Sequence, residues 1–365
     1  MPEEPRTGKI AVIMDMTLFQ NEFSPFLKAT VHDHIQVFTK TTQDAFLGEA
    51  VEHISMLVGG GKRLRPYLSS IGYVAGGGRD RALMMRFGVA LELFHVFCLI
   101  HDDIIDKAAT RRNVATVEAF VQDHLRAQAR RGDLSHLAKS HAILLGDLVF
   151  SWASRHMCAT ALLSPLPQTV LDEYYGMVDE VVAGQMIDVD TMTRDEHDEG
   201  LLERKMYLKT AGYSFVRPLR LGLRLSGNAT EKSLAEMTAI GTPMGLAFQL
   251  QDDVFDITSS VDVLGKPILS DIRDGQQTFL TAFVAQHGTP QEKLLLERVM
   301  HGSGSDEDIH ALREILVTNG AVARAQFRMN ELWKSTRHAI DHATFPHEIQ
   351  EALHALVVAL QSRVR

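Results

Sequence analysis

Apolar residues spaced for one face of an α-helix recur along this chain. Leu83, Phe87, Leu91, Phe94 and Cys98 follow at steps of four, four, three and four, which sets them on a single helical face. Ile349, Leu353, Leu356, Val357 and Leu360 repeat the pattern near the C-terminus. Alternating runs rich in Val, Ile and Thr are scarce. Most prolines, among them Pro66, Pro165, Pro167, Pro218, Pro243, Pro267, Pro290 and Pro346, fall where helix edges are expected. The pattern predicts long helices over 18–38, 41–58, 64–76, 79–108, 136–163, 168–189, 209–226, 230–257 and 276–288, then three more closely spaced helices. Loops are expected at Gly59–Gly61, Gly76–Gly78, Leu125–Gly132, Thr191–Gly200 and Thr258–Gly275. Asp195, Glu196, Asp198 and Glu199 make the fourth of these read as a solvated charge run.

A chain of 365 residues could hold two or three domains of about 150 residues. No Pro/Gly/Ser-rich linker divides it and no solenoid repeat appears. One all-α domain over 1–365 is expected, with 1–17 as a flexible N-terminal extension. Lys plus Arg is 37 against 46 for Asp plus Glu, and a net charge of −9 argues against a nucleic-acid binder. Cys98 and Cys158 are too few for a disulfide framework. No run approaches the roughly 18 apolar residues of a membrane span. The apolar stretch Ile10 to Met14 is cut by Asp15 and preceded by Glu3 and Glu4, unlike a signal peptide. These features predict a soluble, cytoplasmic protein.

Two near-identical words end apolar helical stretches: Asp102-Asp103-Ile-Ile-Asp106 and Asp252-Asp253-Val-Phe-Asp256. On a helix, residues i and i+4 share a face, so Asp102 pairs with Asp106 and Asp252 with Asp256. Two carboxylates about 4 Å apart repel by roughly 1 kcal/mol in water and about 4 kcal/mol at an effective dielectric of 20. Flanked by Leu99, Ile100, Ile104 and Ile105, or by Phe248, Leu250, Val254 and Phe255, such acids need a cation. Oxygen-only ligands point to Mg²⁺.

Basic residues accompany the acids. Gly60-Gly61-Lys62-Arg63-Leu64-Arg65-Pro66 precedes the first acidic helix, but Met56 and Arg63 stand where a Walker A loop needs Gly and Ser or Thr. Arg111-Arg112 follow the first word, Lys209-Thr210 open a later helix, and Lys266 follows the second word. Carboxylates for metal, with Arg and Lys alongside, describe a diphosphate site.

In this order the words GGKRLRP (60–66), ELFH (92–95), HDDIID (101–106), RR (111–112), ILLGDLVFSWA (143–153), GQMID (184–188), KT (209–210), FQLQDDVFD (248–256) and GKP (265–267) resemble the trans-polyprenyl diphosphate synthases. The resemblance covers about residues 55 to 285. It implies an isoprenoid-synthase-type helical bundle around a central active-site cavity, a homodimer, and Mg²⁺, about three ions per site once diphosphate is bound. It further implies that Asp102, Asp103, Asp106, Asp252, Asp253 and Asp256 hold the metals that grip an allylic diphosphate. Arg111, Lys209 and Lys266 would bind that same diphosphate. Lys62, Arg65, His95 and Arg112 would bind the diphosphate of isopentenyl diphosphate without metal. Thr210 and Gln249 would face the reacting carbons.

The resemblance also implies a head-to-tail prenyltransferase making geranylgeranyl diphosphate (C20). Phe97 is expected as the floor of the product tunnel, with Phe94 below it. A farnesyl (C15) product is the alternative. A terpene cyclase is disfavoured by the intact second diphosphate set, and a non-catalytic regulatory subunit by two complete acidic words. Two departures stand out: Asn113 where the family usually has Gly, and Gln276 where it has a Lys. Phe19, Phe23, Phe26 and Leu27, at helical spacing, are expected to form core or a dimer face.

Overall fold

A computed structural model describes residues 15–194, 197–258, 270–273 and 275–362. Its backbone is 81% helical, and a two-stranded hairpin is the one sheet among these residues. The all-α expectation holds. The chain forms two compact units, one of residues up to Leu171 with Arg224–Gly227, the other of Asp172–Leu223 with the residues from Asn228 onward.

In the first unit α1 (Met16–Thr42) is capped by the Asp15 carboxylate, which accepts from Leu18 N–H at 2.9 Å. Met16 and Thr17 are therefore helical and no part of an extension; the rest of the expected extension, 1–14, lies outside the described residues. Phe19, Phe23 and Leu27 are buried within this unit, so they form core and not a dimer face, whereas Phe26 is exposed. α2 (Ala45–Gly59), α3 (Leu64–Ala75) and α4 (Arg81–Ile105) follow. α4 is long and apolar enough on average to cross a membrane, though Arg86, Glu92 and His95 interrupt it, and 72% of its most apolar window is packed inside the protein. It is a core helix. The hairpin β1 (Thr110–Arg111) and β2 (Val114–Ala115) precedes α5 (Val117–Ala127) and α6 (Leu134–Ala161). Thr116 caps α5, a helix that the apolar spacing alone did not reveal.

A buried ion pair fixes the loop ahead of α3. Arg63 has φ +54° and is 2% exposed. Its guanidinium donates to Glu92 Oε1 at 2.7 Å, Gly60 O at 2.8 Å and Val58 O at 2.5 Å. Glu92, on α4, is 3% exposed. In the same unit His34 and His156 tie α1 to α6 through ring nitrogens 2.8 Å apart, with His34 stacked on Trp152.

In the second unit, reached through α7 (Pro167–Thr191), α8 (Glu199–Met206), a π-helix (Tyr207–Val216) and α9 (Arg217–Leu225) run on without a break. The helix expected to open at 209 thus begins at 199. Asp198 accepts from Gly200 N–H at 2.8 Å and Glu199 lies in the first turn, so these acids start a helix instead of decorating a loop. The π register, in which Arg217 N–H bonds to Gly212 O, leads into Pro218, which is interior and not an edge. Pro243 likewise lies inside α10 (Glu231–Thr258). After α11 (Ser270–Arg273) and α12 (Phe279–His287) come four helices, not three: α13 (Pro290–Met300), α14 (Asp306–Thr318), α15 (Ala321–His342) and α16 (His347–Gln361).

Two glycines set helix spacing around the π-helix. A Cβ on Gly184 of α7 would meet the Lys209 backbone nitrogen at 2.5 Å, and one on Gly245 of α10 would meet Ala211 Cα at 2.5 Å. Both neighbours therefore touch it backbone to backbone. Arg217 and Arg220 add a clamp of ion pairs to Glu173 and Glu180 on α7.

Replacing Glu92 by Ala strands the Arg63 guanidinium in the core and should cost about 3–5 kcal/mol in denaturant unfolding. The histidine pair gives a pH dependence. Burial, with His34 and Arg155 nearby, pushes His156 down to about 4. The unfolded chain then binds more protons between pH 6.5 and 4, so stability falls as pH is lowered through that window. Melting curves should show this fall in the wild type and a smaller one in His156→Gln.

Candidate active site

The end of α4 carries the first acidic word. Asp106 caps the helix, its N–H bonded to Asp102 O at 2.8 Å, so the outer acids of the word stand one turn apart as the spacing predicted. Asp103 points inward and is 2% exposed. Arg111 reaches back from β1, with Nε 2.5 Å from Asp103 Oδ1 and Nη2 3.2 Å from Asp102 Oδ2. Burial nevertheless dominates over Arg111 and pushes the Asp103 carboxyl up to about 6. Its Oδ2 is buried and makes no hydrogen bond, an oxygen suited to a metal ion.

The hairpin turn is Arg112–Asn113, with φ of +54° and +62°. Two successive left-handed residues make the type I′ turn that Asn tolerates best after Gly, which accounts for Asn113. Arg112 lies over the preceding loop, where a Cβ on Gly61 would meet its Nη1 at 3.0 Å. Lys62 is exposed and Arg65 and His95 partly exposed. Burial, then the charges of Arg65, Arg112, Arg111 and Arg63, hold His95 well below its ordinary range. The imidazole is neutral, and the guanidinium groups around it form a field for an anion.

Deeper on α4 the expected chain-length residues lie together. Phe94 is fully buried, and Phe97 has ring contacts to Phe94 at 5.7 Å and to His101 at 4.7 Å. Phe150 of α6 closes the group, 5.0 Å from Phe97 and 6.2 Å from Phe94. Phe150 sits in the quoted word ILLGDLVFSWA, yet no spacing rule within one helix links it to Phe97.

The second unit holds a cleft lined by Asp188, Lys205, Lys209, Thr210, Gln249, Asp253 and Gln276. Thr210 Oγ1 donates to Gln249 Oε1 at 2.7 Å, and Gln249 Nε2 donates to Asp253 Oδ1 at 2.7 Å. Asp253 and Asp256 are buried, and Asp252 is partly exposed. Val254 and Ile257, beside Asp256, pack into an apolar cluster with Leu280, Leu296 and Leu312. Lys209 Nζ lies 2.5 Å from Asp188 Oδ2, and Lys205 Nζ 2.8 Å from Asp188 Oδ1. Burial raises the Asp188 carboxyl, but the two ammonium groups outweigh it and hold it below the usual range.

Asp188 and Lys205 were not among the residues singled out. Asp188 had a signal, as the last letter of GQMID; Lys205 had none, because its helix was missed. Lys266 lies outside the described residues. Among those described, no three His, Cys, Asp or Glu side chains converge into a ready-made metal cage.

The polyprenyl synthetase family model matches residues 44–316. The geranylgeranyl diphosphate synthase of Sulfolobus acidocaldarius is 31% identical over 307 residues, 82% of this chain and 85% of that one. The geranylfarnesyl diphosphate synthase of Aeropyrum pernix is 25% identical over 339 residues, 92% of this chain and 99% of that one. Among solved structures, a geranylgeranyl pyrophosphate synthase from Corynebacterium glutamicum, complexed with isoprenyl diphosphate and magnesium, matches with a TM-score of 0.85 and 28% identity, covering 94% of this chain and 99% of its own. With this family match across most of its length, the chain belongs to the polyprenyl synthetase family of prenyltransferases.

Proposed function

We propose that this prenyltransferase is an Mg²⁺-dependent head-to-tail synthase that joins isopentenyl diphosphate to an allylic diphosphate and stops at C20. The observation that carries the reading is a division of labour. Carboxylates of the two acidic words suit metal ions, whereas the loop and hairpin cations around the neutral His95 suit a diphosphate held without metal. A cyclase would have no use for the second set. The relatives named above make C20 and longer products, which fits C20 without fixing it.

In this reading Asp102, Asp103 and Asp106, with Asp252, Asp253 and Asp256, hold Mg²⁺, which when bound neutralises charge on the departing diphosphate. Arg111, Lys209 and Lys266 bind the allylic diphosphate. Lys62, Arg65, His95 and Arg112 hold isopentenyl diphosphate so that its double bond faces the allylic carbon. As the allylic C–O bond breaks, the double bond attacks the allylic cation and a proton is lost to the released diphosphate. Thr210 spends its hydroxyl hydrogen on Gln249, so its lone pairs are left to stabilise the cation. The proposed working unit is a homodimer; exposed Ile143 and Leu144 on α6 are apolar surface of the kind a partner copy would cover.

Asp102→Ala and Asp252→Ala should each lower kcat by about a thousandfold or more at saturating Mg²⁺ while keeping a cooperative melt. Near-normal turnover in either variant refutes the metal assignment.

Product length follows from depth along α4. Phe97 lies about 7.5 Å below Asp102 along the axis and Phe94 about 12 Å. Phe97→Ala should shift the dephosphorylated products, separated by chromatography, to C25 and beyond. An unchanged C20 product from the active variant assigns the floor to Phe94 or Phe150.

A further inference from the structure

α1 lies ahead of the residues that match the family model, 44–316, and the reaction as described uses none of its side chains. It is nevertheless seated firmly on α3 and α4. Phe23 is fully buried, and a Cβ on Gly88 of α4 would meet its ring at 2.9 Å. Phe19 stacks on Phe23 and leans on Tyr67 of α3, with ring centroids 5.3 and 5.6 Å apart. Glu22 pairs with Arg81 at the start of α4. On this fixed helix Gln20 and Ser24, one turn apart, share a face toward the basic loop. Gln20 Nε2 donates to the Lys62 carbonyl, and Ser24 Oγ accepts from Arg63 Nε at 3.3 Å.

The Lys62 carbonyl is a telling place for such a bond. Left-handed residues stand on either side of Lys62, Gly61 with φ +111° and Arg63 with φ +54°. Gly61 adopts that conformation freely, whereas Arg63 carries a Cβ that opposes it. Turning over the peptide between Lys62 and Arg63 would return Arg63 to negative φ and reverse the Lys62 carbonyl. The side-chain bonds of Arg63 to Glu92, Gly60 O and Val58 O hold its guanidinium. Gln20 holds the peptide plane itself. A turned peptide would re-aim Lys62, in a loop that already lies against Arg112.

We propose that Gln20 is a positioning residue for the isopentenyl diphosphate site: its bond to the Lys62 carbonyl keeps the turn at 61–63 in the form that presents Lys62 and Arg65 to that substrate. This rests on the reading that these two cations bind isopentenyl diphosphate without metal.

The test is calorimetric binding of isopentenyl diphosphate to the full chain in EDTA, with steady-state KM for both substrates in Mg²⁺. Lys62→Ala tests the underlying reading and should weaken binding. Gln20→Met keeps the length of the side chain and removes the donor. It should weaken binding about three- to tenfold and raise KM for isopentenyl diphosphate alike, leaving KM for the allylic substrate and the melting temperature unchanged. A merely structural role would lower the melting temperature and leave that split unseen. The double variant, Gln20→Met with Lys62→Ala, should lose less than the two single losses combined, because Gln20 acts through the loop. Fully additive losses mean that Gln20 acts apart from Lys62 and overturn the proposal, as does an equal rise in KM for both substrates. Wild-type binding in Gln20→Met beside weakened binding in Lys62→Ala overturns the proposal and spares the reading. Wild-type binding in Lys62→Ala, or no metal-free binding by the wild type, overturns the reading itself.

Discussion

A carboxylate set into the apolar end of a helix costs free energy until a cation reaches it, and much of this structure is the means by which cations arrive. Glu92 has Arg63, Asp102 and Asp103 have Arg111, Asp188 has two lysines, and Glu173 has two arginines. Each cation comes from a different local device. Arg63 arrives because a left-handed residue turns the chain into α3, and Arg111 because a two-residue hairpin folds back on α4. Lys209 sits in a π-helix that two glycines let its neighbours touch. The pairing is incomplete at Asp103 Oδ2, the kind of gap that a metal ion would fill.

The same devices separate cations buried in ion pairs from cations left partly exposed. Arg63 and Arg65 are near neighbours at the start of α3, yet the first is buried against Glu92 and the second is partly exposed. Spending Arg63 inside the core gives the loop one conformation. In the proposed reading that ordering cost is met before a diphosphate arrives, which lowers the cost of binding it. His95 benefits in turn. Burial first, and then the guanidinium groups around it, hold its pKa well below the ordinary range, so it adds no charge to the repulsion among its neighbours.

How much of this was legible in the sequence depends on the range of the signal. The i, i+4 spacing of Asp102 with Asp106 is local, and the helix obeys it. Helix existence was likewise readable wherever apolar spacing was regular. It failed at Glu199–Met206, because acids that cap a helix look like acids in a loop, and at Val117–Ala127, where only Val117, Val121 and Leu125 are buried. What could not be read were pairings made across the chain. Nothing near Arg63 in sequence announces Glu92, and nothing near Phe97 announces Phe150. Lys205 was doubly hidden, by a missed helix and by partners on two other segments.

The two departures from the family pattern show the same distinction. Asn113 is a demand on the backbone, φ of +62° in a tight turn, and a residue that tolerates that conformation meets it where it stands. Gln276 is a demand on charge, and charge acts through space. A side chain on another element can answer it, provided its own burial is compensated. Lys205 has that compensation in Asp188 and the Gln277 carbonyl, and it lies in the wall of the cleft that Gln276 lines. A steric or backbone requirement must be met at its own position, whereas an electrostatic one can be met by any group close enough in a medium that screens it poorly. A missing lysine in a motif therefore says less about lost function than a residue unable to adopt a left-handed turn, such as a β-branched one, would at position 113.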